Sequence, residues 1–211
     1  MDEPFTAFKE SNNLINVVEH YDLLIDENND PFRDPPVLQE YMNQWDGQIF
    51  VDSMKLTISK SVLEVGVGTG RIAAKVAPNC AHFTGIDISP KTIERAKENL
   101  SCHHNIELIC ADFTQYQFNH RFDVIYSTLT IMHFEDKQHF ISKTASLLHH
   151  GGTFCLSIDK NQSEYINMGT RKLKIYPDTL NHIISCIHET AMHISDIHET
   201  ESAYIIICIR Q

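Results

Sequence analysis

The stretch that most constrains this chain runs from residue 62 to 70: Val62-Leu63-Glu64-Val65, then Gly66-Val67-Gly68-Thr69-Gly70. An apolar run opens it, glycines at alternate positions close it, and Arg71-Ile72-Ala73-Ala74-Lys75-Val76-Ala77 follows. That order predicts a buried strand, a tight turn and a helix. Glycine tolerates positive φ and lets a ligand come close to the backbone. A helix starting just beyond the turn would offer free N–H groups to an anion. The spacing excludes two common phosphate-binding turns. A dinucleotide fingerprint needs glycine at the sixth position from Gly66, where Arg71 stands, and the P-loop pattern is also absent. Taken alone, the turn also fits a strand–helix corner that binds nothing.

Further strands and helices alternate after it. His82–Asp87, Ile106–Cys110, Phe122–Ser127 and Thr153–Ile158 read as strands. Ser89 with Pro90 starts a helix carrying Ile93, Ala96 and Leu100. A second helix spans about residues 136–148 and a third about 178–188. Gly151-Gly152 is expected to turn into the fifth strand, residues 159–176 read as polar and irregular, and Ala191–Ile197 with Ala203–Ile209 read as a closing hairpin. The fold class is therefore α/β: a Rossmann-like, seven-stranded, largely parallel sheet with a C-terminal antiparallel hairpin strand, flanked by helices.

Residues 1–57 differ and read as an N-terminal helical cap before a core of 58–211. An amphipathic helix is expected over about residues 8–20, a second from Pro36, and a third capped by Asp46. The first forty residues carry ten acidic side chains against Lys9 and Arg33, which accounts for −8 of the net −11. Such a face repels a nucleic-acid backbone, so no nucleic-acid partner is expected. The opening Met1-Asp2-Glu3-Pro4 is not a basic-then-apolar leader, and no apolar run near either end reaches membrane-spanning length. The six cysteines form no C-x-x-C pair. The expectation is a cytoplasmic protein with free thiols and no membrane partner. No metal is expected: His188-Glu189-Thr190-Ala191-Met192-His193 misses the H-E-x-x-H spacing by one residue.

The strand ends supply partners for the glycine turn. Asp87 closes the second core strand 21 residues after Gly66, where a carboxylate can accept two ribose hydroxyls. Asp112-Phe113 follows the third strand, a carboxylate for an exocyclic amine with an aromatic ring beside a purine. All these ends lie on the edge of the sheet where open α/β proteins bind ligands. The set of Glu64–Gly70, Asp87, Asp112-Phe113, Phe122–Ser127 running to His133, and Gly151-Gly152 resembles the class I S-adenosylmethionine-dependent methyltransferase family over roughly residues 58–211. The resemblance implies S-adenosyl-L-methionine as cofactor. Gly66, Gly68 and Gly70 would admit its methionine moiety, with Glu64 near the ammonium through water. Asp87, with Ile88 beside it, would hold the ribose; Asp112 and the Phe113 N–H would read the adenine; Ser127 and Leu129 would line the methionine side.

The implied reaction needs an acceptor aligned with the S–CH3 bond and shielded from water, with a base only if the acceptor must lose a proton. His133 is the candidate base, and Tyr21, Asp22 and Tyr41 in the cap are candidate substrate contacts. Ser127-Thr128-Leu129-Thr130 stands where methyltransferases of nucleobase or glutamine nitrogens carry Asn/Asp-Pro-Pro-Tyr/Phe. A small-molecule acceptor is expected, and the acidic cap would favour a cationic or amine one. Two alternatives remain at this stage: a non-catalytic S-adenosylmethionine-binding module, and a nucleotide-dependent oxidoreductase. Oligomeric state is not readable from the sequence.

Overall fold

The computed structural model describes residues 13–211. It opens with β1 (Leu14–Ile15), α1 (Val17–Asp26), α2 (Pro36–Asp46) and α3 (Gln48–Ser53). The core follows as β2 (Ser61–Val65), α4 (Ala73–Val76), β3 (His82–Asp87), α5 (Pro90–Asn99), β4 (Ile106–Cys110) and β5 (Phe122–Thr128). After them come α6 (Lys137–Leu147), β6 (Leu148–Asp159), β7 (Tyr165–Asn167), β8 (Lys172–Lys174), α7 (Leu180–His188), β9 (Met192–Glu199) and β10 (Ala203–Arg210).

Seven strands form one sheet in the order β4-β3-β2-β5-β6-β10-β9, and β10 alone runs antiparallel to its neighbours. Alternating side chains send the central strands into two separate cores. Leu63, Val65, Ile125, Phe154 and Leu156 pack with Phe140 and Ile141 of α6 and Ile183 and Ile187 of α7. Val62, Val124, Tyr126 and Cys155 pack with Ile93 and Ala96 of α5, with Leu100 just after it, and with Phe50 and Met54. Burial on both faces explains the near-continuous apolar runs that mark these strands in the sequence. All six cysteines are free thiols. Among the described residues, no helix is long and apolar enough to cross a membrane.

The N-terminal segment departs from its expected detail. The expected helix over residues 8–20 lies partly outside the described residues; the observed one starts at Val17, where Asn16 accepts a hydrogen bond from the Glu19 N–H at 2.9 Å. Asp46 caps no helix: α2 runs through it, and α3 follows Gly47 without a side-chain cap. Residues 159–176 are not irregular throughout. They hold the β7–β8 hairpin, and β8 pairs in parallel with β1 to make a second, three-stranded sheet. Gly151-Gly152 does not start a strand but lies within β6, with Gly151 at φ 75°.

Charged ties fasten α1 and its following loop to the core. Asp22 accepts from the Ser89 hydroxyl at 2.7 Å and from the Lys91 N–H at 3.2 Å, while Lys91 Nζ also pairs with Asp26. Asp30 is buried and takes Arg95 at 3.2 Å together with the Asn99 amide. Arg171 beside β8 donates to Glu27 at 2.7 Å. A last tie is fully internal: Lys137 Nζ lies 2.9 Å from Asp178 and donates to the carbonyls of Ile131 and Tyr176 at 2.7 and 2.9 Å. Replacing Lys137 by Met strands a buried carboxylate and should cost about 3–5 kcal/mol. Urea unfolding of Lys137→Met, compared with the Lys137→Met/Asp178→Leu double variant, checks this. The double variant should recover most of the loss, because it leaves no lone charge inside.

Candidate active site

The site begins where β2 ends between β3 and β5, the point at which an open sheet parts its loops. Gly66 turns there at φ 80°. A Cβ on it would sit 2.0 Å from Thr130 Oγ1, so the residue must be glycine on two counts. The Gly66 and Val67 N–H groups both donate to the Ile86 carbonyl, at 2.9 and 3.1 Å, which fastens the turn to β3. Gly68 is different. It also has positive φ, 55°, but a Cβ there would meet nothing within 4 Å. Its face opens on the cavity, and its N–H donates to the Asp87 carboxylate at 3.0 Å. The helix expected right after the turn is only the single turn α4, so it brings little helix dipole to the site.

Three carboxylates line the cavity, Glu64, Asp87 and Asp112. Asp87 accepts backbone N–H groups from Gly68 and Ser89, each at 3.0 Å, and retains acceptor capacity for a ligand. Burial holds its carboxyl above the usual range despite those bonds. Asp112 Oδ1 takes both the N–H and hydroxyl of Thr114 at 2.7 Å, which fixes the carboxylate at the end of β4. Glu64 accepts from the Tyr126 hydroxyl at 2.8 Å, and burial pushes its carboxyl well above the usual range. Ile88 and Ala111 supply apolar wall beside the two aspartates. The Phe113 ring is not beside the ligand space: it packs in the core 5.2 Å from the Phe140 ring, although the residue borders the cavity.

The loop after β5 forms the opposite wall. Thr128, Leu129, Thr130 and His133 line the cavity; Ser127 does not. Ser127 is fully buried behind it and donates to the Val65 carbonyl at 2.8 Å, bracing β5 against β2. Leu129 takes φ 52°, a left-handed corner in which Thr130 Oγ1 donates back to the Thr128 carbonyl at 2.9 Å. One 3-10 turn, Ile131–His133, then presents His133 to the cap. Tyr21 of α1 meets it, hydroxyl to Nε2 at 2.8 Å. Burial, with the nearby His20 and Lys137, pulls the His133 imidazole down to about 4, and burial raises the Tyr21 phenol. Both groups are therefore uncharged at neutral pH.

The other two cap candidates lie elsewhere. Asp22 is engaged at the start of α5, and Tyr41 is exposed and packs on Trp45 with ring centroids 5.3 Å apart. Neither lines the cavity, whereas Val17, Pro31 and Met42 of the cap do. Met42 shares the apolar pattern of α2 with Tyr41, and the pattern could not tell which of the two faces inward. Arg71 also lines the cavity, its guanidinium paired through both terminal nitrogens with the fully buried Asp46, to which Thr128 adds a hydroxyl at 3.2 Å.

The cavity encloses about 400 Å³. Its acceptor set suits the adenosyl group that the sequence implies. Carboxylates stand at consecutive strand ends for hydroxyl and amine donors, apolar walls flank a base, and the open face at Gly68 admits a chain along the turn. The model of a methyltransferase domain matches residues 63–156. Malonyl-[acyl-carrier protein] O-methyltransferase 1 of Ilyobacter polytropus is 32% identical over 121 residues, covering 56% of this chain and 44% of that protein. Phosphoethanolamine N-methyltransferase 1 of Zea mays is 34% identical over 124 residues, covering 55% of this chain and 25% of that one. The chain thus spans less than half the length of these curated relatives. Among solved structures, the N-methyltransferase NodS of Bradyrhizobium japonicum with S-adenosyl-L-homocysteine superposes with a TM-score of 0.71 at 18% identity, over 93% of this chain and 99% of that one. Magnesium protoporphyrin IX methyltransferase of Synechocystis with bound cofactor gives 0.72 at 17% identity, over 92% and 95%.

Two outcomes test the geometry. Gly68→Ala should keep the fold, losing roughly 1–2 kcal/mol to left-handed backbone, while weakening ligand binding at the turn; Gly66→Ala should lose folded protein, since its Cβ would fall 2.0 Å from Oγ1 and 2.8 Å from Cβ of Thr130. Thermal melts paired with calorimetric titration separate the two. For His133, the unfolded imidazole takes a proton below about pH 6.5, the folded one only below about 4. Its share of stability is complete above pH 6.5 and is lost as pH falls towards 4, at most about 3 kcal/mol. Urea unfolding between pH 7 and 4 should show a shallower pH slope in His133→Asn.

Proposed function

We propose that the chain is a class I S-adenosylmethionine-dependent methyltransferase, a reading supported by the methyltransferase-domain match over residues 63–156, and that it transfers a methyl group to a small-molecule acceptor held between the glycine turn and the N-terminal cap. The cofactor would rest on the Gly66–Gly70 turn, on Asp87 and Ile88, and on Asp112 with the Phe113 N–H, with Glu64 and Leu129 at its methionine end. When bound, it supplies a sulfonium methyl that needs no further activation. The chain's own residues have to orient the acceptor, exclude water and manage a proton.

The observation that carries the acceptor side is the Tyr21–His133 pair, which joins the cap to the loop after β5 across the cavity wall. Tyr21 Oη can take a proton from an acceptor atom as the Tyr21 proton passes to His133 Nε2. The acceptor lone pair then forms the new bond to carbon, and the sulfur keeps the electrons of the broken one. Burial leaves Nε2 uncharged, so that it can accept the Tyr21 hydrogen bond, while it lowers the strength of His133 as a base. Val17, Met42 and Phe134 make the surrounding wall apolar and keep water away.

We assign residues 1–57, together with the β7–β8 hairpin, to the cover of the acceptor side. A small acceptor fits the name of the Zea mays relative, a phosphoethanolamine N-methyltransferase, while the Ilyobacter relative is named as an O-methyltransferase of a malonyl group on a carrier protein, and their difference leaves the accepting atom open. A nucleic-acid substrate conflicts with the net charge of −11. Six free thiols suit a reducing, cytoplasmic setting. An amine acceptor draws less support than the acidic sequence promised, because Asp22, Asp26, Glu27 and Asp30 are engaged by the core and by Arg171.

Calorimetric titration with S-adenosylmethionine and S-adenosylhomocysteine tests the premise; folded protein binding neither would overturn it. Formation of S-adenosylhomocysteine over a panel of phenols, carboxylic acids and amines then identifies the acceptor. With that acceptor, Tyr21→Phe and His133→Asn should each lower kcat by about 10²-fold or more while cofactor affinity stays within about twofold.

A further inference from the structure

A histidine that moves a proton is usually aimed by a further group, one that holds its other ring nitrogen. His133 has no such group. Its Nε2 meets the Tyr21 hydroxyl at 2.8 Å, while its Nδ1 is buried with no hydrogen-bond partner among the described residues. Tyr21 stands 112 positions away in the chain, and the two rings meet edge-on with centroids 5.4 Å apart. The aim of the imidazole therefore depends on the backbone beneath it.

That backbone is the single 3-10 turn Ile131–His133. Its own bonds are few: the His133 N–H to the Thr130 carbonyl and the Phe134 N–H to the Ile131 carbonyl, each at 3.0 Å. Two outside groups complete the hold. The Tyr176 N–H donates to the Met132 carbonyl at 2.8 Å, and Lys137 Nζ donates to the Ile131 carbonyl at 2.7 Å. The same ammonium donates to the Tyr176 carbonyl at 2.9 Å and lies 2.9 Å from Asp178. One buried side chain at the start of α6 thus ties the turn to the segment leaving β8. Stability alone does not call for a lysine there, because a buried ion pair can often be replaced by apolar side chains without loss. An apolar pair cannot donate to two carbonyls in the loops it joins.

We propose that Lys137 is the positioning residue of the acceptor side: by holding the Ile131 carbonyl against that of Tyr176, it sets the backbone that aims His133 at Tyr21. It does not line the cavity and acts only through the turn. The consequence for catalysis rests on the methyltransferase reading of the same cavity; the aim of the ring does not. Lys143, further along α6, supplies a contrast. It donates to the carbonyls of Thr114 and Tyr116, at 3.0 and 2.7 Å, and so holds a different loop.

Nuclear magnetic resonance of the full chain, isotope-labelled at histidine and saturated with S-adenosylhomocysteine, reads the ring directly. His133→Asn assigns the signal, and Tyr21→Phe gives the position that Nε2 takes when its hydrogen bond is lost. In Lys137→Met/Asp178→Leu, the signal should move more than halfway to that position. The neutral polar pair Lys137→Gln/Asp178→Asn can still donate to one carbonyl and should give an intermediate signal. In Lys143→Met the signal should stay in place, although α6 also loses a tie there. With the acceptor found in the panel above, Lys137→Met/Asp178→Leu should lower kcat by about tenfold or more while KM for S-adenosylmethionine stays within about twofold. A His133 signal unmoved in both Lys137 pairs, or moved as far by Lys143→Met, overturns the proposal. So does an unchanged kcat. Failure to bind S-adenosylhomocysteine overturns the methyltransferase reading instead, and the signal of the unliganded chain then still decides whether Lys137 aims His133.

Discussion

The contact between Gly66 and Thr130 sets both halves of the site. With no Cβ at Gly66, the loop after β2 lies against the side chain of the loop after β5. Thr130 is in turn held by its bond to the Thr128 carbonyl, and that bond bends Leu129 into a left-handed corner. The same corner starts the 3-10 turn that ends at His133. One backbone approach therefore sets the floor of the cavity and the bearing of His133. The parallel order of β3, β2 and β5 makes the approach available, because strands running the same way deliver all their loops to one edge.

The cap is held by charge as well as by a shared core, into which it sends Phe50 and Met54. Its acidic residues find Arg and Lys partners on α5 and beside β8, and a buried pair of Asp46 and Arg71 reaches the glycine turn itself. Exposed ties of this kind contribute little to stability but hold geometry, while the buried Asp46–Arg71 pair would be costly to break on one side only. The net acidity of the chain is thus partly structural.

Much of this was legible in the sequence because it is local. Apolar runs bounded by turn residues marked each of the seven strands of the main sheet, although β6 begins at Leu148, five residues before the expected Thr153, and Asp87 and Asp112 stand at the strand ends where the spacing put them. What escaped was relational. Strand β1 has two residues and β8 three, too few for any period to register, and their pairing joins positions far apart in the chain. The partner of Arg71 lies 25 residues earlier, so Asp46 read as a helix cap. Ser127 sits next to cavity-lining residues yet faces β2, because neighbours on a strand point to opposite sides. Phe113 obeys the motif in position while its ring follows the apolar core, where burial of an aromatic surface is most favourable.

The pairing of β1 with β8 has a consequence for how such a cover can change over evolutionary time. Its two halves are separated by the whole cofactor-binding core, yet they share hydrogen bonds and the Glu27–Arg171 pair. A swap of the first 57 residues into a cousin would deliver a strand whose mate stayed behind. On a ribosome, the three-stranded sheet would be complete only after the hairpin has emerged, with the glycine turn already made.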